Sequence, residues 1–178
     1  MSDWRADILK FWFELSHDDW WGGSAELDQH IKKRWLKLWA EKRQLPVGAF
    51  LTDPLTALAG VILFDQFPRN MFRRHAEAYS TDQLALGIAK AATKEGFDKD
   101  LAGEERKFLY MPFQHSENLD DQNRAVLLFT ELRDDEQLKY AKHHRDIIER
   151  FGRFPHRNAI LGRASRADEV AAGADKPW

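Results

Sequence analysis

The sequence predicts an all-α protein in which antiparallel helix pairs enclose one apolar central helix. Three observations carry that reading. Apolar residues recur at helical spacing along most of the 178-residue chain, no strict alternation extends beyond four residues, and Gly and Pro number only 10 and 6. So few turn residues disfavour a β-sandwich. A composition of 43% hydrophobic and 31% charged residues, with 7 Trp and 12 Phe, suits one globular domain with a filled interior. That domain is expected to span residues 1–178, with its core over 4–166 and a polar tail over 167–178.

Each helix has its own signal. Ile8, Leu9, Phe11, Trp12, Phe13 and Leu15 suit a short helix that is apolar on most sides. Leu27, Ile31, Trp35, Leu38 and Trp39 form one stripe of a longer amphipathic helix. The segment from Asp53 to Gln66 leaves almost no polar face, so it should be enclosed by the others. Pro68 disfavours helical geometry at Phe67, which predicts an end at Gln66 or Phe67. Leu84, Ile88 and Ala91 follow Ser80 and Gln83, which have capping-box spacing, and Gly96 is the expected stop. Ala125, Leu128, Phe129 and Leu132 mark a helix entered near Asn118 or Asp120. Asp134 and Gln137 open the next, whose stripe is Tyr140, His144, Ile147 and Phe151, closed by Gly152. Connections are short throughout, which favours antiparallel neighbours.

Several function classes are excluded early. With no Cys there is no disulfide, thiolate metal site or Cys nucleophile. The longest apolar stretch, Leu55 to Phe64, is about half a membrane span, so no membrane partner is expected. No basic n-region precedes an apolar h-region, which points to the cytoplasm. P-loop and GxGxxG patterns are absent, and no cofactor is expected.

Three polar features stand out. Asp65 ends the most apolar helix, where carbonyl dipoles disfavour an anion, so it needs a cation such as Arg69 or Arg73. It reads either as a structural ion pair or as an acid or base poised at a pocket. Secondly, residues 142–166 hold seven basic residues (Lys142, Arg145, Arg150, Arg153, Arg157, Arg163, Arg166) against Asp146 and Glu149. Arginine suits bidentate capture of carboxylate or phosphate, yet the same cations complement a helix C-terminus, and Lys142, Asp146 and Arg150 have i, i+4 spacing. Nucleic acid is disfavoured, because Phe151 and Phe154 belong to the core rather than to a stacking platform. The third feature is the histidines. His115, Glu117, His144 and His156 would have to converge from separate helices to bind a metal, no spaced ligand motif supports one, and none is expected.

These phrases carry a resemblance. Phe11-Trp12-Phe13, residues 63–70 (LFDQFPRN), residues 108–117 (FLYMPFQHSE) and residues 144–158 (HRDIIERFGRFPHRN) resemble the bacterial domain-of-unknown-function family 924, over roughly residues 4–166. The resemblance implies a tetratricopeptide-like arrangement of helix pairs in a cytoplasmic bacterial protein and supplies no activity. The matching phrases coincide with the polar features. They suggest that Asp65, Arg69, Asn70, His115, Glu117, His144, Arg145, Arg153, His156, Arg157 and Asn158 gather on one side of the bundle. The first functional expectation is a binding module, with Arg69, Asn70, His115, Arg145, Arg153, Arg157 and Asn158 lining a groove for a small anionic molecule or acidic peptide. The alternative is an enzyme for a small anionic substrate, with Asp65, Glu117, His144 and His156 transferring protons. A third reading has every charged residue bracing helices. Oligomeric state is left open.

Overall fold

A computed structural model describes residues 3–176. Every regular element among the described residues is helical. The chain forms two compact units, the first ending at Pro112 and the second beginning at Phe113.

In the first unit α1 (Trp4–Glu14) starts where the Asp3 carboxylate accepts from the Arg5 N–H. A reciprocal Ser16–Asp19 box opens α2 (His17–Trp21), and the Ser24 hydroxyl caps α3 (Ala25–Lys42). Helix α3 buries Ile31, Trp35 and Trp39 of the predicted stripe. Cations lie over aromatic rings along it: Arg34 on Trp35 at 4.5 Å, Arg43 on Trp39 at 4.2 Å and Lys42 on Trp4 at 4.6 Å.

Helix α4 (Pro54–Val61) is started by Asp53, with Pro54 in the first turn, where its missing N–H costs nothing. Everything from Thr56 to Pro68 is buried, as the hydropathy requires. Gly60 lets the helix pack closely, because a Cβ there would lie 3.1 Å from Phe50 and 3.3 Å from Ile88, and those side chains would have to give by a few tenths of an ångström.

The predicted stop before Pro68 does not occur. The chain widens into a π-helical turn (Ile62–Gln66), in which the Phe67 N–H reaches back to the Ile62 carbonyl, and continues as α5 (Phe67–Met71). Pro68 removes the N–H that would have served the Phe64 carbonyl. The Thr81 hydroxyl replaces it at 2.7 Å, and Arg69 Nη1 serves the Asp65 carbonyl at 2.6 Å. Thr81 also accepts from Trp39 Nε1 at 3.2 Å.

Thr81 holds the N-cap position of α6 (Asp82–Lys94), so the Ser80–Gln83 box does not form; the Ser80 hydroxyl donates to the Glu77 carbonyl instead. Gly96, at φ 78°, ends α6 as expected. Helix α7 (Gly103–His115) contains Pro112, and the boundary between the units falls within it.

The second unit is built on α8 (Leu119–Leu132) and α9 (Asp135–Phe151), joined by Arg133 and Asp134 and packed side by side. Asn118 and Asp134 cap them, and Gly152, at φ 71°, closes α9. The buried face of α9 is Gln137, Ala141, Ile148 and Phe151, rotated from the predicted stripe, and Tyr140 is 48% exposed. Beyond α9 the chain returns through a 3₁₀ turn (Pro155–Arg157) to α10 (Ala167–Ala171).

Candidate anion-binding site

The first unit holds Asp65, Arg69 and Asn70. The Asp65 side chain is fully enclosed; it accepts from Gln66 Nε2 at 2.6 Å and faces Arg69 Nη1 at 3.5 Å. Arg69 turns its fork onto Asp82, at 2.8 and 3.0 Å. Burial opposes the charge on Arg69, but Asp82 and Asp65 outweigh it and hold the guanidinium more firmly protonated than usual. Arg73 pairs with Asp28 rather than with Asp65, and Asn70 donates to the same Asp28 carboxylate at 2.9 Å. These contacts fasten α5 to α3 and α6.

The other candidates lie in the second unit, in two layers around Phe154. One is an ionic chain. Glu117 accepts both arms of Arg163, at 2.9 and 3.0 Å, and the Phe154 N–H at 2.8 Å. Arg163 Nε donates to Asn158, whose amide donates to Glu169, and Glu169 takes Arg153 bidentately at 2.7 and 2.9 Å. Burial pushes the Glu117 carboxyl up, yet Arg163 and the Phe154 N–H bring it below its usual range. The hydrogen bonds from Arg153 hold Glu169 down to about 2.

The second layer is cationic and aromatic. The Arg157 guanidinium lies 4.6 Å from the Phe154 ring centre and donates to the His115 carbonyl at 3.2 Å. His144 meets the same ring edge-on at 5.5 Å, and His156 lies 5.7 Å away. The Tyr140 carbonyl is 2.8 Å from His144 Nδ1, so in the neutral ring Nδ1 carries the proton. Burial pushes the His144 imidazole down to about 3; the Tyr140 hydrogen bond opposes this, and the charges of His115, His143 and Arg157 add to it.

Two hollows open on the same helix. One, of about 370 Å³, lies between α9 (His143, Asp146, Ile147, Arg150, Phe151) and the turn Ala172–Gly173–Ala174 after α10. The other, of about 470 Å³, is walled by α9 alone, and shares His143 and Asp146 with the first. The acidic member of both, Asp146, is held by Arg145 at 2.8 Å rather than by Lys142 or Arg150. Arg150 lies over the Phe151 ring at 4.8 Å, and no carboxylate pairs with it among the described residues. The turn that forms the opposite wall is a full Schellman cap: the Ala174 N–H reaches the Glu169 carbonyl, the Gly173 N–H reaches Val170, and Gly173 has φ 64°. Among the described residues no group of three or more His, Asp or Glu side chains is arranged to hold a metal, and no helix is long and apolar enough to cross a membrane.

A family model described as a bacterial protein of unknown function, DUF924, matches residues 8–172. The chain belongs to the DUF924 family. A similar solved structure, a protein of unknown function from Agrobacterium tumefaciens, is 39% identical, with 96% of this chain and 97% of that one covered at a TM-score of 0.88. No curated protein sequence matches this DUF924 chain.

The sequence shows Arg150 and Arg163 among the basic residues of 142–166 without marking either as a ligand contact or an ion-pair partner, and it gives no sign of the partners Glu169, Asp82 and Asp28. Arg150 was in plain view: its i−4 carboxylate, Asp146, has the adjacent Arg145 as a rival.

Proposed function

We propose that this DUF924 protein is a helical binding module of tetratricopeptide-like construction that takes a small anion or an acidic peptide end in the hollow between α9 and the turn after α10. The observation that carries the reading is the Arg150 guanidinium at the rim of a walled hollow whose one carboxylate, Asp146, is already held by Arg145. Arginine is suited to planar anions, and a charge-assisted hydrogen bond is worth about 1.5–3 kcal/mol. The hollow shared by α9 alone lacks a second wall and is the weaker host. Binding is favoured over acid–base chemistry because the carboxylates suited to catalysis are engaged. Asp65 is fully enclosed, and Glu117 accepts three hydrogen bonds that favour its ionised form. Arg153, Arg157, Asn158 and His115 then act as the frame that holds the cationic face of α9, and Arg145 as the residue that neutralises its acid.

The test is calorimetric titration of the full chain with inorganic phosphate, acetate and a short Asp/Glu peptide, repeated on Arg150→Gln. Arg150 is exposed, so the substitution leaves the fold intact. Affinity for whichever anion binds should fall about tenfold, consistent with one lost charge-assisted contact. Unchanged affinity in Arg150→Gln, or no heat with any anion at millimolar concentration, refutes the site.

A further inference from the structure

The hollow is only half polar. Its polar rim is Arg150, the His143 ring and Asp146, the last held by Arg145, but its floor and far wall are Ile147, Phe151, Ala172, Gly173 and Ala174, and none of these wall side chains offers a hydrogen bond. An inorganic anion would satisfy the rim and leave the apolar floor wet. At about 370 Å³ the space lies at the small end of ligand pockets, roughly 300–1,000 Å³, which are mostly apolar with a few placed polar groups. Phe151 is 6% exposed, so its accessible edge is a built part of the wall rather than a loose surface ring. The wall opposite is fixed too. Glu169, fully enclosed, ties α10 to Arg153 and Asn158, and the Schellman turn sets where residues 172–174 stand.

Resting on the binding reading above, we propose that the ligand is an amphipathic carboxylate: one carboxylate for the Arg150 guanidinium, joined within a few bonds to an unbranched or aromatic hydrocarbon body that covers Ile147 and Phe151. Charge complementarity fixes the head group and the wall chemistry fixes the tail. The same chemistry is offered by a free alkyl or aryl carboxylic acid and by the C-terminus of a peptide ending in an apolar residue.

The experiment is a homologous series of acetate, butyrate, hexanoate and octanoate titrated into the full chain, beside inorganic phosphate and the tripeptide Gly-Gly-Phe with a free or an amidated C-terminus. Binding is followed by calorimetry and by the backbone amide resonances of Ala172, Gly173 and Ala174. Each pair of added methylenes should tighten binding about tenfold until the floor is covered, in line with burial of apolar surface. The amide shifts of residues 172–174 should grow with occupancy, and Ile147→Ala should flatten the chain-length dependence. Arg150→Gln should weaken the whole series equally. Tighter binding of Gly-Gly-Phe than of hexanoate assigns a peptide terminus as the source, and the reverse assigns a free acid. If phosphate and acetate bind as tightly as octanoate and all depend on Arg150, the amphipathic ligand is refuted while the anion site stands. If amidated Gly-Gly-Phe binds as well as the free acid, the carboxylate requirement is refuted. Absence of binding by every probe removes the site itself.

Discussion

Replacing His144 by Gln should change how this protein responds to acid, and the size of the effect follows from the geometry. In the unfolded chain an imidazole titrates near 6.5, whereas in the folded protein burial beside His115, His143 and Arg157 pushes His144 down to about 3. Between those values the unfolded chain holds a proton that the folded one rejects, so acid favours unfolding. The contribution is complete above pH 6.5 and is lost as pH falls toward 3. At pH 5 the unfolded imidazole is almost fully protonated and the folded one is not, which costs about 2 kcal/mol of stability relative to pH 7.5. The carboxylates held low, Glu117 and Glu169, act only at more acid pH and do not confuse this window. Urea denaturation followed at 222 nm, at pH 7.5 and pH 5.0, measures the difference. The parent protein should lose about 2 kcal/mol and His144→Gln much less. Equal losses in the two proteins, or no loss in the parent, would refute the claim that His144 is neutral in its folded setting.

Three further outcomes are expected. Glu169→Gln removes the carboxylate that takes Arg153 bidentately and loosens α10, and should lower the midpoint of a denaturant titration relative to the parent. Thr81→Val keeps the shape but removes the donor to the Phe64 carbonyl and the acceptor for Trp39; a loss of about 2–4 kcal/mol with a shifted tryptophan emission is expected. Gly173→Ala meets no steric obstacle but forces a left-handed backbone on a residue with a Cβ, and should cost about 1 kcal/mol, read as faster hydrogen exchange at Ala174.

Local chemistry made much of the fold legible. Asn118, Asp134, Gly96 and Gly152 each do their work within a few residues, so their spacing alone marks where helices begin and end. The enclosed central helix was legible for the same reason: a segment without a polar face has nowhere else to go. The stop at Pro68 was misread because the compensating hydroxyl, on Thr81, lies 13 residues further on, and the same tertiary contact moves the cap of α6 from Ser80 to Thr81. The candidate site was legible only in composition. That residues 142–166 are rich in Arg is visible in the letters, but which arginines are already taken depends on Glu117, 46 residues before Arg163, and on Glu169, 16 residues after Arg153. The groups left to meet a ligand are defined by subtraction, and subtraction needs coordinates.

The π turn at Ile62–Gln66 has a consequence for how this segment tolerates length changes. One residue more than a regular α path has been accommodated there, and each residue advances an α-helix by about 100°. Forcing all of residues 62–66 onto a regular α path would swing Pro68 to Met71 by roughly a quarter turn. Arg69 would leave Asp82, and Asn70 would leave Asp28, although every one of those side chains would still be present. With this number of residues a regular helix is thus the worse one; the irregularity keeps four distant side chains in phase, and a one-residue deletion within 62–66 would be the length change the segment tolerates best.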